Sequence, residues 1–458
     1  MPSTKVVIIG GGISGLSAAY FLAKNGIPST LIEKTDRLGG LIKTDIVSGC
    51  ELEAGPDSYL AAKPEITDLA QELPDLQNQI IGSNDRHRRI FIVRKGRLMA
   101  LPRGMVMMVP ARWRPVLISP FFSFRTKIKF LAELMRAPLQ RSNDVSVEQF
   151  VNDHFGNEVL RNLAEPLLSG VYGGDSAHLS VESVLPRFLE YERNYGSLIR
   201  GVRRNYRESS HKSLFLSFRG GMQSLITALA RAASNHMQVI HAKVTRIEKS
   251  ADAWRVHSGN GEIEAKSLIL ACPAYVCADL MGQAAPSLAS DLAAIRYGSA
   301  ILVNLVYKKE QLRRTWDGFG FLVPRDERRS IGAATWVSTK FPSRTPPQLT
   351  ALRAFITEPQ ASELLNNSNE MLTHLAREEF RRLLGLEAVP LLSTVHAWPN
   401  SMPQYEVGHR ERRERIFSRL AQCPGLYLIG NAYQGVGIPD CVRMAKETAK
   451  QITVHSTA

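Results

Sequence analysis

A glycine-rich turn close to the amino terminus constrains this chain more than any other feature. Residues 5–9 are apolar and strand-like, and Gly10, Gly11, Gly12, Ile13, Ser14 and Gly15 follow. Residues 17–24 then read as a helix closed near Gly26, and residues 29–33 as a second strand ending in Glu33. This is G-x-G-x-x-G within a strand–turn–helix–strand unit. The first glycine allows the tight turn, the second lets backbone approach a pyrophosphate, and the third lets helix and strand pack closely. The free N–H groups of the helix start face the phosphates. Glu33, 18 residues after Gly15, is positioned to accept hydrogen bonds from a ribose hydroxyl pair. An acid there disfavours a 2′-phosphate, and so NADP.

Three further strings extend this reading. Asp36-Arg37-Leu38-Gly39-Gly40 follows Glu33 directly; Arg37 can reach back towards phosphate, and Gly39 and Gly40 permit close backbone approach. Gly55, Pro56, Asp57 and Ser58 form a turn string. Near the carboxy terminus, residues 426–429 read as a strand entering Gly430-Asn431-Ala432-Tyr433-Gln434-Gly435-Val436-Gly437-Ile438-Pro439-Asp440-Cys441-Val442. A strand there delivers glycines onto the start of a last helix, whose N–H groups and positive end suit negative charge.

Between these ends the pattern changes. Residues 130–138, 147–154 and 159–168 read as helices broken by Pro138, Pro166 and Gly170. Residues 239–256 alternate as strands around Thr245-Arg246, and residues 267–271 form a buried-strand run ending at Pro273. Residues 301–307 and 318–323 are further strands, and 371–384 is an amphipathic helix. The fold class expected is α/β, a Rossmann-type nucleotide domain built from separated segments, with a mixed-sheet substrate domain and a helical insert. The expected boundaries are 1–80 with 220–290 and 410–458 for the first, 81–102 and 291–409 for the second, and 103–219 for the insert.

The stretch after Glu33 resembles FAD-binding oxidoreductases of the amine-oxidase superfamily. The C-terminal string, Leu167-Leu168-Ser169-Gly170-Val171-Tyr172-Gly173-Gly174-Asp175, and Trp398-Pro399-Asn400-Ser401-Met402-Pro403-Gln404-Tyr405 with Val407-Gly408-His409 resemble the porphyrinogen oxidases. The likeness runs from about residue 5 to 450. It implies non-covalent FAD held by Gly10 to Gly15, Glu33, Lys34, Leu41, Gly55 to Ser58, Val244, Trp398, Val436, Gly437 and Ile438. It implies a porphyrinogen cavity bordered by Gly170 and Phe319. Members acting on protoporphyrinogen often carry an Arg two residues before an isoleucine of the strand preceding a Lys-Gly turn. Here that place is Ile90 with Arg89 beside it, which leans towards coproporphyrinogen over protoporphyrinogen.

The resemblance implies oxidation of a porphyrinogen to a porphyrin for haem synthesis, in three two-electron rounds. Hydride would pass to flavin N5, with oxygen as acceptor and peroxide as by-product. Such chemistry needs positioning and dry walls more than a strong base, and no side chain is singled out as catalytic. His178, His211, His396 and His409 have no evident partner in the sequence. The competing readings are another superfamily enzyme, an amine oxidase or carotenoid desaturase, and a non-catalytic, membrane-peripheral nucleotide-binding protein.

Five cysteines without a C-x-x-C pair argue against a disulfide framework and a thiolate metal site, and fit a reducing cytoplasm. A strand beginning at Lys5 leaves no room for a secretory leader. Of a net charge of +14, residues 86–141 carry +13: fourteen Lys or Arg against Glu133 alone. Met105 to Val109, Trp113, Val116 to Ile118, Phe121, Phe122 and Phe124 lie among Arg112, Arg114, Arg125, Lys127 and Lys129. Apolar groups beside cations suit an anionic membrane surface on the cytoplasmic side. Some of these cations, or Arg200, Arg203, Arg204 and Arg207, could instead hold substrate carboxylates. No nucleic-acid module is visible; transient contact with the next haem-pathway enzyme is a further expected partnership.

Overall fold

Val6, Val7, Ile8 and Ile9 are buried, as a strand covered on both faces must be. Their strand, Ser3–Ile9, pairs in parallel with Ser29–Glu33 on one side and Gly261–Leu270 on the other. The computed structural model describes residues 3–205, 213–250, 252–313 and 315–457. The sheet order is Met237–His241, Ser29–Glu33, Ser3–Ile9, Gly261–Leu270, Ala253–Ser258, Val244–Ser250. Leu426–Leu428 adds in parallel to the end of Gly261–Leu270. Helix Ile13–Lys24 packs between the last helix, Ile438–Thr457, and Gln223–Ala233.

This sheet belongs to the first of two units, Met1–Ser83 with Ser213–Arg296 and Glu411–Ala458. The second unit is Asn84–Lys212 with Tyr297–Arg410. The expected insert, 103–219, is therefore divided. Through residue 212 it clusters with the second unit. Phe215–Phe218 falls in the first because it pairs with both Tyr59–Leu60 and Ile80–Gly82.

The second unit has its own sheet, ordered Leu392–Pro403, Tyr297–Lys308, Leu349–Thr357, Ala333–Trp336, Gly320–Leu322, Ile90–Arg94, Arg97–Ala100. All neighbours are antiparallel except Gly320–Leu322 and Ile90–Arg94. Helix Asn369–Leu384 lays Leu372, Ala376, Phe380 and Leu383 into one core with Val303, Leu305, Leu352 and Ile356. Ser368 caps its start by accepting from Met371 N, and Gly385 at φ 64° ends it.

Several local expectations are corrected. Thr245-Arg246 lies within Val244–Ser250, where a register shift between Val244 and Arg246 disturbs the alternation. The helix expected over 130–138 is Phe124–Glu133, started by Ser123 as N-cap. Pro166 and Gly170 do not break a helix; both lie in Glu165–Tyr172. Pro166 sits just after a π-helical stretch, Leu160–Ala164, that runs directly into this helix. Gly173, at φ 64°, is the residue that ends it. Within the basic segment, Met108, Val109, Val116, Phe121 and Phe122 are core, not surface.

Glu133 is buried and organises that helical region. Its carboxylate accepts from Ser197 Oγ, Leu198 N and Ile199 N, closing the start of Leu198–Asn205. His154, also buried, lies 3.0 Å from Glu133 Oε1 through Nδ1 and 3.0 Å from Glu192 Oε1 through Nε2. Arg141 donates twice to Glu192 at 2.8 Å. Among the described residues, no helix is long and apolar enough to cross a membrane.

Candidate functional site

The glycines of the first turn serve different ends. Gly10 has φ 108°, and a Cβ there would stand 2.7 Å from Ala271 O. A Cβ on Gly15 would stand 1.9 Å from Gly10 O. Chain packing alone therefore demands glycine at both. Gly11 is closely packed: its Cβ would meet Leu38 Cδ2 at 2.6 Å, and its N–H donates to Glu33 Oε2 at 2.7 Å. Gly12 differs. It is the N-cap of Ile13–Lys24 with no side-chain cap. A Cβ on it would meet only Gly40 Cα, at 4.0 Å. No protein contact forbids a side chain at Gly12, so its bareness fits a group lying against the helix start.

Glu33 is more committed than the sequence suggests. Besides Gly11, it accepts through Oε1 from Thr35 N at 3.0 Å and Thr35 Oγ1 at 2.9 Å. A carboxylate offers about four acceptor sites, so Oε2 keeps one acceptor position beyond these three donors. Lys34 beside it is exposed. Arg37, expected to reach towards phosphate, braces its own loop: the guanidinium donates to the carbonyls of Leu38, Gly40 and Ile42. Gly39 N donates to Gly11 O at 2.8 Å and joins that loop to the glycine turn. Val244 follows the turn whose Ala242 N donates to Glu33 O.

Gly55 is sterically fixed, since its Cβ would stand 2.0 Å from Leu41 O. Pro56, Asp57 and Ser58 are partly exposed, with Asp57 O accepting from Ser217 Oγ at 2.8 Å. At the other end of the chain, Gly430 and Gly435 have φ 142° and 123°. Val436 and Gly437 lead into Ile438–Thr457. Asp440, in that helix's first turn, accepts from Gly437 N at 3.3 Å, and both its oxygens lie 2.6 Å from Lys63 Nζ. Neither residue was singled out in the sequence; the signal was an Asp three positions past Gly437. Cys441 is buried beside it, and that burial pushes its thiol up to about 11.

The remaining expected residues lie in the second unit. Trp398, on Leu392–Pro403, is partly exposed and stacks with His396 at 6.4 Å. The two strings of the resemblance interlock there. Gln404 Nε2 donates to Tyr172 O at 2.9 Å, and a Cβ on Gly174 would lie 2.0 Å from Gln404 Oε1. His409 stacks on Tyr405 at 4.0 Å, and His178 is exposed. His211 and Arg207 lie outside the described residues. Arg200 donates to the carbonyls of Arg136 and Tyr195, while Arg203 and Arg204 lie over the rings of Trp113 and Tyr195.

Strand Gly320–Leu322 gathers the expected substrate residues. Phe319, buried, donates its N–H to Arg89 O at 2.8 Å. Gly170 is exposed, and a Cβ there would meet only Leu322 Cδ2, at 3.9 Å. The Arg89 guanidinium pairs with Asp317 at 2.9 Å, as does His87 at 2.5 Å. Arg328, almost fully buried, ties Glu165 of the Gly170 helix to Val323 O and Glu358 O. Burial holds the Glu165 carboxyl above its ordinary range, with Arg328 opposing.

A coproporphyrinogen III oxidase of Bacillus subtilis (strain 168) is 30% identical over 96% of both chains. One from Staphylococcus aureus (strain NCTC 8325 / PS 47) is 31% identical over 98% of both. A solved protein of Exiguobacterium sp. 255-15, provisionally named as a protoporphyrinogen oxidase, superposes with a TM-score of 0.89 at 29% identity. That superposition covers 99% of this chain and 100% of the other. The family model for flavin containing amine oxidoreductases matches residues 13–453. The chain belongs to the flavin-containing amine oxidoreductase family.

Proposed function

We propose that this protein is an FAD-dependent porphyrinogen oxidase of haem synthesis, with coproporphyrinogen III the favoured substrate over protoporphyrinogen IX and molecular oxygen the acceptor. The observation that carries the substrate reading is the interlock of residues 167–175 with residues 398–405 through Gln404. These are the strings that resemble porphyrinogen oxidases, in a chain whose whole-length bacterial relatives are named for coproporphyrinogen III.

FAD, when bound, supplies a two-electron acceptor at flavin N5 and a route for electrons to oxygen. The chain's own groups hold it in place. Gly12 leaves the start of Ile13–Lys24 open to a pyrophosphate, and Glu33 Oε2 accepts from a ribose hydroxyl. Lys63 and Asp440 fix the start of the last helix, whose N–H groups and positive end suit the flavin N1–C2=O edge. The attachment is non-covalent. Burial keeps Cys441 a protonated thiol at neutral pH, hence a poor nucleophile towards the ring. Phe319 and the bare Gly170 form a wall for a large apolar macrocycle. No general base is assigned, because electron-rich pyrroles stabilise the cationic transition state themselves.

The partner surface is an anionic membrane. Phe124, Ile128 and Leu131 recur on one face of Phe124–Glu133, Met135 follows in the turn after it, and Phe124 and Met135 are 77% and 85% exposed. Ile118 is 83% exposed, and Arg112, Arg114 and Arg125 of the same basic segment are exposed. Such a face suits shallow insertion among acidic headgroups.

Initial rates with coproporphyrinogen III, protoporphyrinogen IX and primary amines test the reading, with porphyrin fluorescence and peroxide as readouts. Faster turnover of coproporphyrinogen is expected. Amine turnover without porphyrin formation would replace this function with that of an amine oxidase.

A further inference from the structure

Cys272 and Cys277 are brought together by the turn that ends the strand Gly261–Leu270. Pro273 is the N-cap of helix Ala274–Met281. Cys272 is thus the residue before the cap and Cys277 the fourth within the helix. These are the two positions at which apolar side chains meet across a helix start. Here both are thiols. Their Sγ atoms lie 3.4 Å apart, and Cys277 Sγ also donates to Cys272 O at 3.4 Å. Cys272 is partly exposed and Cys277 is buried. Among the five cysteines no other thiol pair is in contact among the described residues.

We propose that Cys272 and Cys277 form a reversible intramolecular disulfide, with Cys272 the entry thiol and Cys277 the resolving one. The oxidant is a small-molecule disulfide of the glutathione type. The Cys272 thiolate attacks one sulfur of the reagent, whose S–S bond breaks and releases one thiol after protonation. The Cys277 thiolate then attacks Cys272 Sγ, breaks the mixed disulfide and releases the second thiol. Two protein thiols are oxidised, and one reagent disulfide is reduced to two thiols. The two Sγ atoms have to close from 3.4 Å to about 2 Å within one helix start.

The site matters because of its neighbour. Ala271 O, adjacent to Cys272, is the atom that forbids a side chain at Gly10, and Ala271 N donates to Ile9 O. A bond at Cys272 ties the wall of the glycine turn to the helix behind it. The hydrogen bond that the Cys272 thiol donates to Cys277 Sγ, with burial, holds it well above its ordinary range. Oxidation is therefore slow at neutral pH and accelerates as pH rises.

The test uses the full-length, flavin-loaded protein carrying Cys423→Ser, which removes the other partly exposed thiol. Incubation with oxidised glutathione, acid quench, alkylation and peptide mapping are expected to show residues 272 and 277 joined, with the loss of two hydrogens in mass. Dithiothreitol should restore both thiols. Cys277→Ala should stop at the glutathione adduct on Cys272; should that variant fold poorly, the mapped link in the parent protein still decides. Full alkylation of both residues after prolonged oxidation at pH 9, or a link between other cysteines, overturns the proposal. Neither readout depends on turnover, so its failure is separable from failure of the oxidase reading.

Discussion

Lys63 Nζ lies 2.6 Å from both carboxylate oxygens of Asp440, although 377 positions separate the two residues. The pair joins the early loops of the first unit to the helix that ends the chain. Asp440 also fills the space that keeps Gly435 and Gly437 bare, with its Cγ 2.5 Å from where a Gly435 Cβ would stand. Asp440→Ala therefore removes a cap and an ion partner together. The expected cost is about 1–2 kcal/mol of stability, the usual worth of a helix-start acceptor. Flavin should dissociate faster as well. Thermal unfolding and flavin release after gel filtration check both; an unchanged release rate would detach this helix start from the cofactor.

Substitutions at Gly12 and Gly15 are expected to separate cofactor binding from folding. At Gly15 a Cβ collides with Gly10 O at 1.9 Å, so Gly15→Val should fail to fold. At Gly12 a Cβ finds only Gly40 Cα at 4.0 Å, and the backbone φ of −72° accepts any residue. Gly12→Val should fold and lose its flavin, because the new side chain blocks the approach of the pyrophosphate. Circular dichroism together with flavin absorbance distinguishes the outcomes. A Gly12→Val protein purified with full flavin content would refute this assignment.

These contrasts show what the sequence could carry. Local geometry wrote itself plainly: a strand, three spaced glycines and a helix are adjacent in the chain, and the fold keeps them adjacent. The acid after the second strand was legible for the same reason. The loop-bracing role of Arg37 carried no signal, because the three carbonyls it holds are not visible in residue type alone. Gly170 and Pro166 looked like breakers, since helix position, unlike residue type, is not visible in composition. His154 carried no signal at all. Its partners, Glu133 and Glu192, come from helices 21 and 38 positions away, and only tertiary packing joins them. The Lys63–Asp440 pair was hidden by the same distance. Gln404 was quoted in one string and Tyr172 in another, but nothing in either string announced that they touch.

The His154 network should respond to acid. Burial alone would raise the Glu192 carboxyl, but hydrogen bonds from His154 and Arg141 outweigh it and bring the group from 4.5 down to about 2. Between these values the unfolded chain binds a proton that the folded chain does not, so stability rises with pH across this window. The contribution is complete above about 4.5 and is lost as pH falls through about 2, on the order of 3 kcal/mol in all. Glu192→Gln should flatten the unfolding free energy between these pH values. It should also destabilise the protein at neutral pH, because Arg141 and His154 lose their buried partner. Urea titrations across the window test both; an unchanged slope for the variant would exclude Glu192 as the titrating group.

The membrane reading makes a demand on charge and apolarity together. Arg125 and Lys127 share the helix Phe124–Glu133 with the exposed Phe124, Ile128 and Leu131, and Arg112 is exposed in the same basic segment. Reversing the three cations to Glu removes attraction worth roughly 1 kcal/mol for each charge near an acidic surface and adds repulsion. Co-sedimentation with phosphatidylserine-containing vesicles should then fall by at least about tenfold, while porphyrinogen turnover in detergent-free buffer is retained. Phe124→Ser with Met135→Ser should weaken binding to the same vesicles but leave its salt dependence intact, since only the apolar term is removed. If both variants sediment like the parent, this face does not contact lipid, and its exposed side chains must be met by something else.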